Sequence, residues 1–286
     1  MKSLKMFALI VVILVSIGFM LPQRDFSKVE IKKIKVTENI YMLKGSGGNL
    51  GVCFGKDGVL MIDDQFAPLA DKIKKAIEEL SPTGLKYLLN THLHGDHTGG
   101  NAIFGKIMTI VAHENVRKRL AAANPPKAKE ALPVITFSDA ISIYFNDEEI
   151  KVMHYPNGHT DGDAVVYFKN SKVVHMGDNF FAGRFPYVDL KNGGNAVGLK
   201  KNIENIVAEL PADVKIIPGH GDLSELKDLQ TYLAMLKETI QVVASAKEGG
   251  KDLATIKASG LPARWKSWGS GFISEERWIS IIYNSL

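Results

Sequence analysis

The sequence predicts an α/β layered fold, and two observations carry this prediction. Short apolar segments rich in β-branched residues alternate with longer segments whose apolar residues recur at helical spacing. This alternation occurs in both halves of the 286-residue chain, as expected when helices cover the faces of sheets. No linker rich in Pro, Gly or Ser divides residues 30–286, so we predict a single domain there.

The first half predicts five strands and two helices. Apolar β-rich segments predict strands over residues 40–43, 52–54, 59–62, 86–89 and 107–111. Apolar residues at helical spacing predict helices over residues 68–80 and 114–123. The connection that begins at Asn124 is about fifteen residues long, which exceeds most loops and suggests a surface or substrate-side loop.

The second half repeats this mixture. It predicts strands over residues 141–145, 150–155, 164–168, 172–176 and 214–217, and helices over residues 196–210 and 223–246. A C-terminal helical segment is predicted around Ile279–Tyr283. Its tryptophans, Trp265, Trp268 and Trp278, are interpreted as core residues rather than as a ligand pocket.

The composition is that of a chain that can build its own core. Hydrophobic residues make up 45% and charged residues 23% of the sequence, which excludes a disordered or collagen-like chain. Cys53 is the single cysteine and lies in an apolar segment, so we interpret it as core packing rather than as a reactive thiol. The net charge of +4 argues against nucleic acid as a partner, because phosphate binding requires a concentrated basic face.

Residues 1–21 have the pattern of a secretory signal peptide. A basic start, Met1–Lys5, precedes an apolar segment over residues 6–21 that is short for a spanning helix of about 20 residues. We therefore predict a periplasmic or secreted protein. The segment has no Ala-x-Ala cleavage site, and Ser16-Ile17-Gly18 is its best site with small residues at the two required positions. An uncleaved membrane anchor over residues 6–21 therefore remains an alternative, and a buried N-terminal helix is a third.

Four potential metal ligands lie within six residues directly after the strand predicted at 86–89: His92, His94, Asp96 and His97. A spacing of two places side chains on one side of an extended loop, unlike the spacing of four that pairs histidines on a helix. Zinc accepts imidazole and carboxylate ligands, and open α/β sheets place their sites at the carboxyl ends of strands. A solvated turn that merely happened to hold three of the chain's eight histidines is the weaker interpretation.

Three further ligand-type residues lie in glycine-rich turns beside predicted strands. His159 lies in Gly-His-Thr, Asp178 in Gly-Asp-Asn, and His220 in Pro-Gly-His-Gly. In order along the chain, these motifs and the His92–His97 cluster resemble the signature of the metallo-β-lactamase superfamily over roughly residues 35–222. The resemblance implies a four-layer αβ/βα sandwich, the metallo-β-lactamase fold, with metals between the edges of its two sheets.

The same resemblance implies two Zn²⁺ ions per chain. The ligands it implies are His92, His94 and His159 for the first ion, Asp96, His97 and His220 for the second, and Asp178 as the bridge. Asp63, which ends the strand at 59–62, would support the ligand loop from behind. Manganese or iron remains an alternative, because a His/Asp set accepts either metal.

Two zinc ions about 3.5–4 Å apart can share a water molecule and lower its pKa toward ~7. The resemblance therefore implies a hydrolase whose metal-bridged hydroxide attacks the carbonyl of a small-molecule substrate. Asp96 is the predicted catalytic residue, because it would orient the nucleophile or pass a proton to the leaving group. A non-catalytic metal-binding or redox protein on the same fold is the alternative from another class.

Export favours β-lactam hydrolysis, because β-lactamases act outside the cytosol. Against this, a carboxylate at Asp178 is the pattern of glyoxalase-II-type thioester or ester hydrolases, which are the alternative. Phe181 stands where many β-lactamases have a substrate-binding lysine, and Arg184 either replaces that lysine or is an ordinary surface arginine. The glycine-rich segment Gly45–Asn49 predicts a tight turn rather than a substrate flap.

Overall fold

The computed structural model describes residues 25–286. The segment interpreted as a signal peptide or anchor, residues 1–21, lies outside the described residues. Among residues 25–286, no helix combines the length and the apolar character needed to cross a membrane.

The first sheet contains seven strands that lie side by side in chain order. Its strands are β1 (Lys32–Lys35), β2 (Ile40–Lys44), β3 (Leu50–Gly55), β4 (Gly58–Ile62), β5 (Leu85–Asn90), β6 (Thr109–His113) and β7 (Ile135–Phe137). Strands β1 to β4 form an antiparallel meander, and β4 to β7 pair in parallel. The parallel pairing brings the carboxyl ends of β4, β5 and β6 to one edge of the sheet.

The second sheet contains six strands in the order β13-β12-β11-β10-β9-β8. Their bounds are β8 (Ala140–Phe145), β9 (Glu148–His154), β10 (Ala164–Phe168), β11 (Val173–His175), β12 (Lys215–Ile217) and β13 (Ser224–Glu225). Only β11 and β12 pair in parallel in this sheet. The carboxyl ends of β11 and β12 therefore also lie together.

Eight α-helices are present in the described residues. They are α1 (Ala70–Glu78), α2 (Gly95–Thr98), α3 (Asn101–Phe104), α4 (Glu114–Ala121), α5 (Ala196–Glu209), α6 (Leu226–Glu248), α7 (Leu253–Ser259) and α8 (Glu275–Ser285). A 3₁₀ segment over Ala263–Ser270 lies between α7 and α8.

Alternation along the strands sorts apolar side chains into separate cores. On β4, Leu60 and Ile62 face the second sheet, whereas Met61 points outward and joins the core formed with Ile73 of α1. The outer face of the second sheet is covered by α5, α6 and α8, which share a third core with Val174 of β11. The order of layers is helix, sheet, sheet, helix, which confirms the predicted four-layer α/β fold.

The predicted strands and the long helices are found within a few residues of their predicted bounds. The long connection after Asn124 was predicted as a loop, but it contains the short strand β7. Strand β1 was also missed, because its sequence Lys-Lys-Ile-Lys is mostly exposed at the sheet edge. The extent of a single domain over residues 30–286 stays a prediction.

The aromatic residues of the C-terminal segment lie mostly in the core, as predicted. Trp278 of α8 is fully buried, and its Nε1 atom donates a hydrogen bond to Oγ1 of Thr239 on α6 at 3.1 Å. Trp265 is also buried, whereas Trp268 is only partly buried. These contacts fix α8 against α6.

Cys53 should be chemically inert in the folded protein. It is buried between the two sheets, and this burial raises the pKa of its thiol to about 12. We expect no reaction with Ellman's reagent at pH 8 in native buffer, and one reacting thiol per chain after guanidinium unfolding. A native reaction rate close to that of free cysteine would contradict the core interpretation.

Candidate active site

Loops at one edge of the two sheets bring all seven predicted ligands together. The chain supplies them from the loops after β5, β9, β11 and β12. They form two groups in which the potential ligand atoms lie within 4.8 Å of one another: His92, His94, His159 and Asp178 in the first group, and Asp96, His97 and His220 in the second group. Their roles as ligands stay predictions.

Asp178 lies between the two groups. Its Oδ2 atom is 3.4 Å from Nε2 of His159 and 3.8 Å from Nε2 of His92. Its Oδ1 atom is 3.1 Å from Nε2 of His97 and 3.3 Å from Nε2 of His220. One carboxylate oxygen thus faces each group, which is the arrangement that a bridging ligand requires.

One ring nitrogen of each histidine in the first group points at another histidine of that group. Nδ1 of His94 is 3.1 Å from Nε2 of His92 and 2.9 Å from Nε2 of His159. In addition, Oδ1 of Asp178 is buried and makes no well-aligned hydrogen bond among the described residues, although two histidine nitrogens lie 3.1 and 3.3 Å from it. Unpaired lone pairs that converge on a small space fit a bound cation, so the residues present are compatible with the predicted metals.

The protonation of His92, His159 and Asp178 also suits metal binding. Burial lowers the pKa of His92 well below its ordinary value and that of His159 to about 4, so both imidazoles are neutral and able to coordinate. Burial opposes a charge on Asp178 as well, but the surrounding imidazoles outweigh it and lower the pKa of this carboxyl. Burial opposes the charge of His97, but the carboxylates of Asp178, Asp63 and Asp96 raise its pKa above the ordinary range.

Asp63 lies behind the second group, at the place predicted for it. Its backbone has a left-handed φ of 59°, a conformation that Asp tolerates better than most residues. Its Oδ2 atom lies 2.7 Å from Nδ1 of His97 and accepts a hydrogen bond from Oγ1 of Thr91, also at 2.7 Å. The carboxylate therefore fixes the orientation of the His97 ring.

Asp189 has the corresponding position behind the first group, and sequence reasoning missed it. Its Oδ2 atom is 2.9 Å from Nε2 of His94. Burial opposes a charge on Asp189, but hydrogen bonds from His94 and Asn192 outweigh it and lower the pKa of this carboxyl. Two residues earlier, the backbone oxygen of Tyr187 accepts a hydrogen bond from Nδ1 of His159 at 2.7 Å. The only local signal is that Asp189 caps the backbone N of Asn192, which by itself indicates a turn.

The glycine-rich segment Gly45–Asn49 is a short turn that lies directly against the ligand loop. A Cβ atom on Gly48 would stand 2.2 Å from Cε1 of His97, so only glycine fits there. Gln65 holds the turn in place, because its Nε2 atom donates to the backbone oxygen of Gly48 at 2.6 Å. The segment thus packs against a predicted ligand, as a tight turn does, while Ser46 and Gly47 line the cavity described next.

A cavity of about 540 Å³ opens beside the two groups and is lined by His94, Asp96, Asp178 and His220. Its walls are mainly aromatic, with Phe66, Phe181, Phe185, Tyr187 and Phe272. Phe181 stacks on His220 with ring centroids 5.1 Å apart. Arg184 is exposed and supplies the single guanidinium or ammonium group that lines this cavity in the described part of the chain.

The remaining histidines have structural contacts. His113 caps α4 by accepting a hydrogen bond from the backbone N of Asn115, and it stacks on His154 with ring centroids 3.7 Å apart. Nδ1 of His154 is 2.9 Å from the backbone oxygen of Asp163, in the turn that also carries His159. Nε2 of His175 is 3.1 Å from the backbone oxygen of Asn49.

Residues 45–242 match the family model of the metallo-beta-lactamase superfamily. Because this match covers more than half of the chain, the chain belongs to that superfamily. Its members are metal-dependent hydrolases, and this chain is an enzyme of that class. The superfamily predicted from the motifs is therefore confirmed.

The relatives that are similar in sequence and the solved structures that are similar in fold carry different names. A probable hydroxyacylglutathione hydrolase of Schizosaccharomyces pombe is 28% identical over 193 residues, which are 63% of this chain and 67% of the relative. The structure of a metallo-beta-lactamase from Pontibacter korlensis superposes with a TM-score of 0.63 at 18% identity, over 73% of this chain and 99% of the other. The structure of a double mutant of the sec-alkyl sulfatase PisA1 superposes with a TM-score of 0.72 at 16% identity. The superposition covers 89% of this chain and 50% of the sulfatase chain. These structural likenesses show the fold alone.

Asp63 and Asp189 should each support metal binding at a different one of the two groups. Because each carboxylate orients one histidine, Asp189→Ala should weaken binding at the first group and Asp63→Ala at the second, each by about 10–100-fold. Zinc titration against a chromophoric chelator, with Co²⁺ absorption spectra to separate the two groups, measures this selectivity.

The matched control is Asp71→Ala, which removes a carboxylate that is 93% exposed on α1. It should leave both affinities unchanged. Equal weakening of both metals by Asp63→Ala and Asp189→Ala, with intact circular dichroism, would contradict the separate assignment.

Proposed function

We propose that this chain is a two-zinc hydrolase that opens a compact cyclic amide of the β-lactam type. The observation that carries this proposal is the cavity. Asp96, Asp178 and His220 line it, and the rest of its lining is mainly aromatic and apolar, with one guanidinium. Such a cavity suits a small carbonyl compound with apolar substituents and a single anionic group.

A metal pair held by the two groups would supply Lewis acidity and a water of lowered pKa. In this proposal, Asp96 handles the proton. Its side chain is partly exposed to the cavity, and its Oδ2 atom is 3.5 Å from Nε2 of His220. The carboxylate can therefore hold an attacking water in line with the carbonyl, accept its proton, and return a proton to the leaving nitrogen.

Arg184 gives the substrate its orientation. It lines the cavity together with Phe185 and Tyr187, so a carboxylate bound by its guanidinium lies beside apolar walls. A planar guanidinium binds a carboxylate through two parallel hydrogen bonds, which fixes direction as well as position. The cavity offers no second guanidinium or ammonium group among residues 25–286. We therefore propose a small-molecule substrate, and not nucleic acid.

The second candidate is a glyoxalase-II-type thioester hydrolase. The position of Asp178 between both groups favours it, as does the likeness to a hydroxyacylglutathione hydrolase. A thioester of a polyanionic carrier needs several cations at the site. Among the described residues, Arg184 is the one cation that lines the cavity, and Arg277 lies against the rings of Tyr187 and Phe272 at its rim. This shortage is why the thioester remains the second candidate.

The deciding experiment compares one penicillin, one carbapenem and one glutathione thioester as substrates of the full chain loaded with Zn²⁺. We expect chelator-sensitive opening of a β-lactam with kcat/KM above ~10⁴ M⁻¹s⁻¹, the ordinary enzymatic range. Arg184→Ala should raise KM for the β-lactam about tenfold with little change in kcat, because it removes a charge-assisted bond to the bound carboxylate. Fast thioester cleavage with slow β-lactam opening would support the second candidate instead.

Lys118→Ala is the matched control for Arg184→Ala. Lys118 is an exposed cation of α4 that does not line the cavity, so its loss changes the net charge equally. An equal rise of KM in both variants would mean that general electrostatic attraction, rather than a bond to Arg184, holds the substrate.

We propose further that residues 1–21 direct export and that the enzyme acts in the periplasm or outside the cell. The support is the basic start followed by the apolar segment. Expression of the full chain in a Gram-negative host, followed by fractionation and N-terminal sequencing, tests this. Recovery in the cytosol with Met1 intact would contradict export, and recovery in the membrane with the segment intact would indicate an anchor.

A further inference from the structure

We infer that the C-terminal segment, residues 263–286, forms one wall of the substrate cavity and that Phe272 is its specificity-determining residue. Phe272 would hold a flat apolar substituent of the substrate, on the side of the cavity away from the reacting carbonyl. This inference rests on the proposed function, because it assigns the substrate class of the same site.

The C-terminal segment is fastened to the loop that carries Arg184. The backbone N of Phe185 donates a hydrogen bond to the backbone oxygen of Trp268 at 3.1 Å. The ring of Phe185 also stacks on Trp278 of α8, with centroids 6.1 Å apart and planes 19° apart. Since Trp278 is fully buried, the wall is anchored in the core rather than attached loosely.

Phe272 is exposed although its surroundings hold it in place. Its side chain is 75% exposed, whereas the next residue, Ile273, is 2% exposed and anchors the backbone. The guanidinium carbon of Arg277 is 4.8 Å from the Phe272 ring centroid and 5.4 Å from that of Tyr187. An exposed aromatic ring that is held by neighbours at the rim of a cavity is apolar surface available to a ligand.

The polar and apolar sides of the cavity together define the ligand. Arg184 lies close to the wall, because a Cβ atom on Gly271 would be 3.7 Å from Cβ of Arg184. A ligand that places a carboxylate on this guanidinium can lay an aromatic arm against Phe272. The substrate class is therefore a carbonyl compound with one carboxylate and one aromatic arm.

The wall lies beyond the part of the chain that matches the superfamily. The family match ends at residue 242, and Phe272 and Ile273 come thirty and thirty-one residues later by their numbers. The predicted metal ligands therefore lie within the matched part of the chain, whereas this wall lies outside it. Selectivity for the arm is expected to change with Phe272 while the chemistry at the ligands does not.

The experiment compares benzylpenicillin with 6-aminopenicillanic acid, which share the lactam and the carboxylate but differ by a phenylacetyl arm. Phe272→Ala should lower kcat/KM for benzylpenicillin about tenfold and change that for 6-aminopenicillanic acid less than about twofold. Phe272→Tyr should restore the preference, because it restores the ring. Tyr144→Ala is the matched control, since Tyr144 is an aromatic residue of β8 that is 77% exposed and does not line the cavity.

A binding measurement separates failure of this inference from failure of the proposed function. Saturation-transfer NMR with phenylacetate, a probe without a lactam, should show binding to the wild type and to Tyr144→Ala but not to Phe272→Ala. If both penicillins are opened with an unchanged ratio in Phe272→Ala, the proposed function stands and the inference is overturned. If neither penicillin is opened, the proposed function fails and the phenylacetate result alone decides the inference.

Discussion

The buried carboxylate of Asp178 connects the two groups of the site, because its oxygens face histidines from three different loops. A buried charge is costly unless opposite charges or hydrogen bonds compensate it. Here four imidazole nitrogens lie between 3.1 and 3.8 Å from its two oxygens. They come from loops after β5, β9 and β12, so the carboxylate requires both sheets to meet at one edge. The four-layer arrangement is what brings these loops together.

Three of the histidines in the site are oriented by hydrogen bonds to the ring nitrogen that faces away from the other predicted ligands. Asp63 orients His97, Asp189 orients His94, and the backbone oxygen of Tyr187 orients His159. This support carries a local conformational cost, because Asp63 and Gln65 both have left-handed backbone and Gly48 leaves no room for a side chain.

The predicted metal ligands and the proposed specificity residue, Phe272, lie in different parts of the chain. The potential metal ligands all lie within the part that matches the superfamily, between residues 45 and 242. The cavity beside them is shaped by the loop around Phe181–Tyr187 and by the C-terminal segment. Phe181 stacks on the predicted ligand His220, whereas Phe272 contacts Tyr187 and Arg277, so of these two rings only Phe181 packs directly on a predicted ligand.

The sequence by itself determined the features whose signals are local. The spacing of His92, His94, Asp96 and His97 is contained in one loop, and the apolar run of a strand such as β4 is contained in five residues. The four-layer fold and the complete ligand set followed from the superfamily's motif order rather than from spacing alone. Strand β1 escaped notice because its sequence is polar and its pairing with β2 is not encoded locally.

Only the tertiary structure decided which distant residues act together. Asp189 reaches His94 across 95 positions of sequence, and no local pattern marks that contact. Phe272 gains its place at the cavity only because Trp278 and Trp268 fasten the C-terminal segment to Phe185. Periodicity and spacing report on neighbours along the chain, whereas these contacts arise from the packing of layers, and packing depends on all the elements at once.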